Sequence, residues 1–371
     1  LKEAFVRAQG LTPTLLPQMM PIADVEEDEL WVKGFDFSQA LAQIKPSPDA
    51  YYRLFWFVKR ILKDAPKFGL ERFSADQACA LAVELCSLID ETAYQELSFD
   101  NLKNLVPEEY AAHWLQTLSF LDVITREWPE FLQQNNLVDG VKRRIQMLEI
   151  QMNLWLKQKV CKKIVVLGTT AAFPVMRRLV KTVLNLPNGM VILSGVDKFL
   201  DDESFKLIDE THPQFEFKQL FEFLDISRFS VKDFCLARNE EREKLVSEIM
   251  RPAKSTHLWR DIGAKHISAH AWDDLKVLSC ADIRAEALSI ALMMRHTLEV
   301  PEKTAALVTT DRDLARRVAA ELNRWDVKVD DSAGKPLHLT PVGIFLRLII
   351  EACQVEQKPV DVLSLMKHPL F

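Results

Sequence analysis

The residues with the clearest potential for chemistry lie in a turn between a predicted strand and a predicted helix, residues 168–174 (GTTAAFP). Such a turn can present backbone N–H groups and the hydroxyls of Thr169 and Thr170 to a phosphate at the helix N-terminus. A P-loop would require GxxxxGK[ST], in which glycines allow close backbone approach and a lysine balances the phosphate charge. This turn has one glycine, no lysine, and a proline where the helix begins. Two interpretations stay open: a phosphate contact, or a plain turn capped by threonine.

Acidic and histidine side chains do not form a recognisable catalytic or metal site. A magnesium-binding acid would directly follow the next strand, residues 190–193, but the first acid after it is Asp197, which we interpret as a turn or helix-cap residue. His266 and His270 have the i, i+4 spacing of zinc ligands but lack the glutamate and helical context of HExxH. We therefore predict no catalytic residue, metal site or cofactor site in this chain.

Basic side chains lie on the polar faces of two predicted helices. One helix follows the turn at 168–174, and the other begins near residue 312. Such residues can neutralise a nucleic-acid backbone or pair with acids of a partner protein, and the alternative is a solvated helix face. The candidate DNA-binding residues are Thr169, Thr170, Arg177, Arg178, Lys181, Arg312 and Arg316.

A strand–helix–strand pattern positions the first group of candidates. Residues 163–168 (KIVVLG) and 190–193 (MVIL) are short apolar strands, and between them Val175, Leu179 and Val183 share one helical face. Before the first strand, residues 141–155 also repeat apolar side chains at helical spacing. Units of this kind form parallel sheets, in which ligands meet the carboxyl ends of the strands.

The same alternation recurs near the C-terminus. Residues 277–280, 304–309 and 325–329 are predicted strands, separated by two helices with apolar faces. Residues 51–135 instead predict helices throughout: one over 51–62, one from the cap Ser74 to about Ile89, and one from Pro107 that stops before Pro129. The fold class is therefore α/β, with two sheet-based cores and an all-helical insertion in the first.

Length and composition restrict the class of protein to which the chain can belong. The chain has 371 residues, 48% of them apolar, and a net charge of −6, which argues against a protein that coats DNA but leaves a local basic groove open. No apolar run reaches the roughly 18 residues of a membrane span, and no leader peptide is evident. The six cysteines show no metal-binding spacing and are expected to be buried reduced thiols. We expect a cytoplasmic piece of a longer polypeptide that makes no membrane contact.

Several runs of sequence carry a resemblance to a known family. Residues 281–287 (ADIRAEA) and 305–318 (AALVTTDRDLARRV) resemble the start of the second motor domain in the UvrD/RecB helicase lineage. More narrowly, the chain is similar to AddB-type subunits of AddAB helicase–nucleases in their alphaproteobacterial form. The other matching runs are 16–21 (LPQMMP), 168–174, 212–215 (HPQF), 250–253 (MRPA), 324–325 (RW), 329–337 (VDDSAGKPL) and 340–346 (TPVGIFL).

The resemblance implies two RecA-like cores, both incomplete or degenerate. The implied divisions are part of the first core with a connector at 1–50, the helical insertion at 51–135, the remainder of the first core at 136–270, and the second core with the start of its own insertion at 271–371. It also implies a complex that resects DNA ends in double-strand break repair, in which this subunit guides single-stranded DNA without hydrolysing ATP. ATP and magnesium would bind the AddA-like helicase–nuclease partner, and an iron–sulphur cluster would lie in a nuclease region C-terminal to this chain.

Two further hypotheses stay open beside this one. An active ATP-dependent motor could have its P-loop upstream of Leu1, although the acid-free end of the strand at 190–193 disfavours it. Alternatively, the region could be a scaffold for the partner subunit that binds no DNA. The turn at 168–174 contains no glutamine where active relatives have a glycine–glutamine motif, so no ATP-sensing role is assigned to it.

Overall fold

The computed structural model describes most of the chain as two compact units, Leu1–Asp273 and Asp274–Phe371. The described residues are 2–10, 15–17, 19, 21, 42–64, 74–99, 121–158, 163–235, 239–261, 267–353 and 358–371. The four domain divisions expected from the sequence stay predictions. Helices predominate in the described residues, and a small parallel sheet accompanies them.

Among the described residues, the first unit contains both strands and most of the helices. In chain order its elements are α1 (Lys2–Ala8), α2 (Ala50–Asp64), α3 (Ala75–Tyr94), a π-helical turn (Val123–Glu127), α4 (Trp128–Gln134), α5 (Gly140–Gln158), β1 (Ile164–Leu167), α6 (Pro174–Leu184), β2 (Gly189–Ile192), α7 (Asp202–Lys206), α8 (Phe215–Leu224) and α9 (Glu240–Ile249). Short 3₁₀ helices span Arg228–Ser230, Ala253–Arg260 and Ala269–Trp272.

The helical part of this unit packs around an aromatic core. Phe57 on α2 and Trp128 on α4 are almost fully buried, with ring centroids 5.2 Å apart. Helix α3 begins as predicted, because the Ser74 hydroxyl accepts from the Gln77 N–H while the Gln77 side chain accepts from the Ser74 N–H. It continues to Tyr94, five residues beyond the predicted end. Of the helix predicted from Pro107, residues 107–120 lie outside the described part.

The prediction that this last helix stops before Pro129 is wrong. Helical structure runs from residue 121 to Gln134, and Pro129 sits in the first turn of α4. Proline lacks the N–H that would bond to the preceding turn. The π-helical turn Val123–Glu127 directly precedes it, so the hydrogen-bond pattern changes where proline interrupts it and the chain continues without a break.

The predicted strand–helix–strand unit between residues 163 and 193 is confirmed. Strands β1 and β2 pair in parallel, with Ile164 opposite Gly189 and Leu167 opposite Ile192. Helix α6 connects them and buries Val175, the predicted first residue of its apolar face, together with Leu179 and Val183. The apolar face predicted on α5 is also buried against this core. The sheet supports the coarse α/β class, and its carboxyl edge carries the turn at 168–174.

The second unit is helical in its described residues, and its predicted strands are not found there. Its helices are α10 (Ile283–Leu298), α11 (Arg312–Asn323), α12 (Pro341–Ala352) and α13 (Pro359–Met366), with a 3₁₀ turn at Leu337–Leu339. Leu314, Val318 and Leu322 of α11 pack against Ala287 and Ala291 of α10.

The segments 277–280, 304–309 and 325–329 form no ladder among the described residues, which corrects the predicted second sheet. Leu307 and Val327 pack beside the α10–α11 core, but Val277 and Val308 are exposed. Apolar β-branched composition favours extended backbone, whereas a strand also needs a hydrogen-bonded neighbour. Within the described residues, that neighbour is missing.

Two expectations from composition, the lack of a membrane span and the burial of the cysteines, can be compared with the structure. Over the described parts of the chain, no helix combines the length and apolar character needed to cross a bilayer. Cys235 and Cys353 are exposed, so the expectation that the cysteines are buried is wrong for these two. Cys79, Cys86 and Cys280 are half-buried, and Cys161 lies outside the described residues. Cys235 and Cys353 both lie in locally apolar sequence, and such a context does not by itself determine whether a side chain is buried.

Candidate functional site

The turn after β1 is held by its own hydrogen bonds and by a left-handed backbone at two positions. Gly168 has φ of +72° and Ala171 has φ of +57°, and the Ala171 methyl is buried in the sheet core. The Thr169 hydroxyl accepts from the Ala171 N–H at 3.0 Å. Thr169 therefore stabilises the turn, and Thr170 is the threonine whose hydroxyl makes no hydrogen bond within the described part of the chain.

Arg177 fastens the first turn of α6 to helix α8. Its Nη1 donates to the Gln219 side-chain oxygen at 2.6 Å and to the Ala172 carbonyl at 3.2 Å. Burial lowers the pKa of the Arg177 guanidinium, against the attraction of Glu96 and Glu216. Arg177 is therefore half-buried and makes a structural contact. Its Nη1 already donates to two acceptors inside the protein.

Arg178 joins the sheet core to the helical part of the first unit. Its guanidinium donates to the Glu96 carboxylate at 2.9 Å, just after α3, and to Glu149 on α5 at 2.9 Å. The hydrogen bond to Glu96 is the main cause that raises the pKa of Arg178, and burial opposes it. Glu96 adopts φ of +55°, which turns the chain after α3.

Lys181 is the most accessible of the first group. Its ammonium lies 5.2 Å from the ring centroid of Phe223 on α8, in a cation–π arrangement, and no carboxylate pairs with it among the described residues. One helical turn separates it from Arg177. Thr170 and Lys181 are therefore the first-group candidates with the most freedom to contact a ligand.

Within the described residues, the first acids after β2, Asp197 and Asp201, are both hydrogen-bonded inside the protein. Asp197 accepts at one carboxylate oxygen from the N–H groups of Phe199 and Leu200, at 2.8 and 3.1 Å, and at the other from the Ser247 hydroxyl at 2.7 Å. The interpretation of Asp197 as a turn residue is confirmed. Asp201 caps α7 through the Ser204 N–H, and Asp202 and Glu203 lie in the first turn of that helix.

The second group of candidates lies on α11 in the other unit. Both Arg312 amino nitrogens donate to the Asp331 carboxylate, at 3.1 and 2.7 Å, and this bidentate pair raises the pKa of Arg312 and lowers that of Asp331. Arg316 donates to Asp313 at 2.9 Å on the same helix, and its side chain is 76% exposed. Arg316 is therefore the more available of the two.

The structure thus separates the predicted residues into one group on each unit. Three of the four candidate arginines pair with residues that the sequence pattern did not indicate. Arg177 pairs with Gln219, Arg178 with Glu96 and Glu149, and Arg312 with Asp331. These partners lie between 19 and 82 residues away in sequence, so helix periodicity gave no signal for them. The Asp313–Arg316 pair, at i, i+3, is the one that spacing could have indicated.

The histidine pair considered as a metal site is only partly described. His266 lies outside the described residues, while His270 is exposed and its Nδ1 lies 3.1 Å from an Asp273 carboxylate oxygen. Within the residues that the structure describes, no three His, Cys, Asp or Glu side chains are grouped to hold a metal ion. His270 is thus placed as a partner of Asp273.

The two groups offer threonine hydroxyls and exposed cations, which are side chains that can bind anions. A scan of protein-family models gives no match to this sequence, and a search of curated proteins finds none that is similar to it.

Proposed function

We propose that this chain is a degenerate helicase-like region of a DNA double-strand break repair helicase–nuclease subunit, which guides single-stranded DNA without hydrolysing ATP. The observation that carries the proposal is the parallel β1–α6–β2 unit, with a threonine-containing turn at its carboxyl edge and Lys181 exposed on α6. Ligands of open parallel sheets bind at this edge. Two RecA-like cores, an AddA-like partner and a cytoplasmic location belong to the same proposal, which rests on the sequence resemblance.

The state of Asp197 supports the part of the proposal that excludes ATP hydrolysis by this region. In a motor of this layout, an acid after the second strand holds magnesium. Both Asp197 oxygens accept hydrogen bonds from the protein, so the carboxylate is committed to its own turn. ATP and magnesium are accordingly assigned to the partner subunit, and the iron–sulphur cluster to a region outside this chain.

A second candidate function is a scaffold that holds the partner and binds no DNA. The specific observation in its favour is the internal pairing of Arg177, Arg178 and Arg312, which leaves fewer free cations than the sequence suggested. Pairing inside the protein reduces the attraction that a guanidinium offers to a phosphate. The two candidates differ in one measurable property, the binding of single-stranded DNA.

Fluorescence anisotropy of a labelled oligothymidylate across a salt series tests the choice. A DNA-guiding region binds the strand, and the logarithm of its affinity falls linearly with the logarithm of salt concentration. Replacing Lys181 or Arg316 by alanine is expected to reduce that slope by about 0.7 for each phosphate that is no longer neutralised. Lys142→Ala, at an exposed lysine on α5, is the matched control and should leave the slope unchanged. Absence of binding by the chain would favour the scaffold.

A further inference from the structure

Helix α2 exposes a face in which aromatic and basic side chains follow one another. Tyr51 is 72% exposed and Phe55 is 62% exposed, and one and two turns further on lie Lys59 and Lys63, also exposed. Positions four apart lie on the same side of a helix, about 6 Å apart along its axis. We call Tyr51, Phe55, Lys59 and Lys63 the α2 stripe.

The α2 stripe is not the face that holds the helix in the fold. Arg53, Phe57 and Ile61 point the other way and are buried, with Phe57 and Ile61 in the aromatic core. Substitutions on the stripe therefore change a surface and leave the core packing in place. Tyr51 and Phe55 lie one helical turn apart, so their exposed rings are neighbours on the surface of α2.

The charged side chains of the stripe itself are both lysines, and Asp49 lies at its N-terminal end. Neither Lys59 nor Lys63 pairs with a carboxylate among the residues that the structure describes. The acid of α2 itself, Asp64, is buried on the opposite face, where Arg60 contacts it at 3.0 Å. Asp49, which precedes the helix, accepts from the Tyr51 N–H at 2.8 Å and so serves as its cap. The stripe is locally cationic on a chain whose net charge is −6.

We propose that the α2 stripe is a binding surface for single-stranded nucleic acid, separate from the sheet edge and the α11 arginines. Bases stack on the rings of Tyr51 and Phe55, and phosphates lie against Lys59 and Lys63. Aromatic platforms beside unpaired cations are the combination that binds single strands without reading their sequence, since every base offers a π-face. The inference rests on the proposed DNA-guiding function and assigns it a second, independent contact in the helical part of the first unit.

Two probes separate base stacking from charge attraction. A labelled oligothymidylate offers bases and phosphates, whereas an abasic oligonucleotide of equal length offers only phosphates. The variant Tyr51→Leu/Phe55→Leu keeps the apolar surface but removes the rings, and it is expected to weaken oligothymidylate binding about fivefold or more for each ring while leaving abasic binding unchanged. Lys59→Gln/Lys63→Gln is expected to weaken both probes and to lower the salt slope by about 1.4.

The outcomes distinguish this inference from the function on which it rests. Binding that the stripe variants leave intact but Lys181→Ala and Arg316→Ala weaken overturns the stripe and keeps the DNA-guiding function. Loss of the preference for bases in the leucine variant, with an unchanged melting temperature, supports the stripe even if the other two variants bind normally. A stripe that binds a protein segment instead would leave oligothymidylate affinity unchanged in both variants, and absence of binding by the unmodified chain overturns both proposals.

Discussion

Arg178 on α6 donates to the carboxylate of Glu96, the left-handed residue that follows α3, with Nη1 2.9 Å from the carboxylate oxygen. The same guanidinium reaches Glu149 on α5, so one side chain joins three helices of the first unit. An arginine that looks like a DNA contact in sequence is thereby placed as a structural tie. Because Arg178 ties these helices together, replacing it should change the stability of the first unit.

Arg178→Ala is expected to lower the free energy of unfolding by about 1 kcal/mol, because it removes two partly exposed ion pairs together. Urea denaturation measures the change, and a double-mutant cycle with Glu96→Gln isolates the pair. Arg316→Ala is the control, since its exposed pair with Asp313 lies within one helix and should change stability by less than about 0.5 kcal/mol. Equal stability of both variants would contradict the role given to Arg178.

A second prediction concerns Arg251, whose side chain is 5% exposed. Its Nη1 donates to Asp201 at 2.5 Å and to the buried Ser204 hydroxyl at 2.6 Å, while Nε and Nη2 donate to Glu248 at 2.8 and 2.7 Å. Arg251→Ala removes the donor to the Ser204 hydroxyl and to Glu248 and leaves Asp201 with its hydrogen bond from the Ser204 N–H, so the expected decrease in unfolding free energy is about 3 kcal/mol. Arg251→Lys keeps the charge but not the fork of donors, so its midpoint in urea should fall between those of the original chain and the alanine variant.

The parts of the fold that sequence predicted well are those set by local pattern. The capping box at Ser74 and the apolar face of α6 depend on residues three or four apart, and both are confirmed. The strands at β1 and β2 also appear within a residue of their predicted bounds, because the loop-helix-loop between them brings their backbones into register. Local spacing sufficed for these elements.

The features that sequence missed depend on contacts between distant segments. The pairing of Arg178 with Glu96 spans 82 residues, and that of Arg312 with Asp331 spans 19, so no periodicity indicated them. The predicted strand at 304–309 failed for a related reason: composition predicts extended backbone, while the ladder depends on a neighbour from elsewhere. At Pro129 the missing information was the π-helical turn, which a rule about proline alone does not contain.

The acid sensitivity of the first unit should depend on Asp201. Burial alone would raise its pKa, but hydrogen bonds from Ser204 and Arg251 outweigh that effect and lower it from 3.8 to about 2. The stabilisation from a lowered pKa is complete above the ordinary value of about 3.9 and disappears as pH falls toward 2. Since the side chain is 43% exposed, solvent reduces the contribution to about 1 kcal/mol.

Asp201→Asn tests this dependence, because asparagine retains a side-chain oxygen for the cap but does not titrate. Urea midpoints measured from pH 6 down to about pH 2 should fall less steeply for the variant than for the original chain between about pH 4 and 2. Above about pH 5, the variant should be the less stable of the two, since it no longer forms the ion pair with Arg251. Parallel curves over the whole range would show that Asp201 does not contribute to the acid response.

A close approach of backbone to backbone occurs at Gly189, the first residue of β2. A methyl group built there overlaps the carbonyl oxygen of Val183 at the end of α6, a backbone atom that cannot turn aside. Gly189→Ala is therefore expected to lower the free energy of unfolding by about 2 kcal/mol or more, through displacement of α6 from the sheet. Gly140→Ala is the matched control, because its added methyl meets no atom within 4 Å and alanine favours the helix that begins there. Urea denaturation of the pair gives the difference, and equal stability would mean that α6 packs less closely on β2 than its contacts indicate.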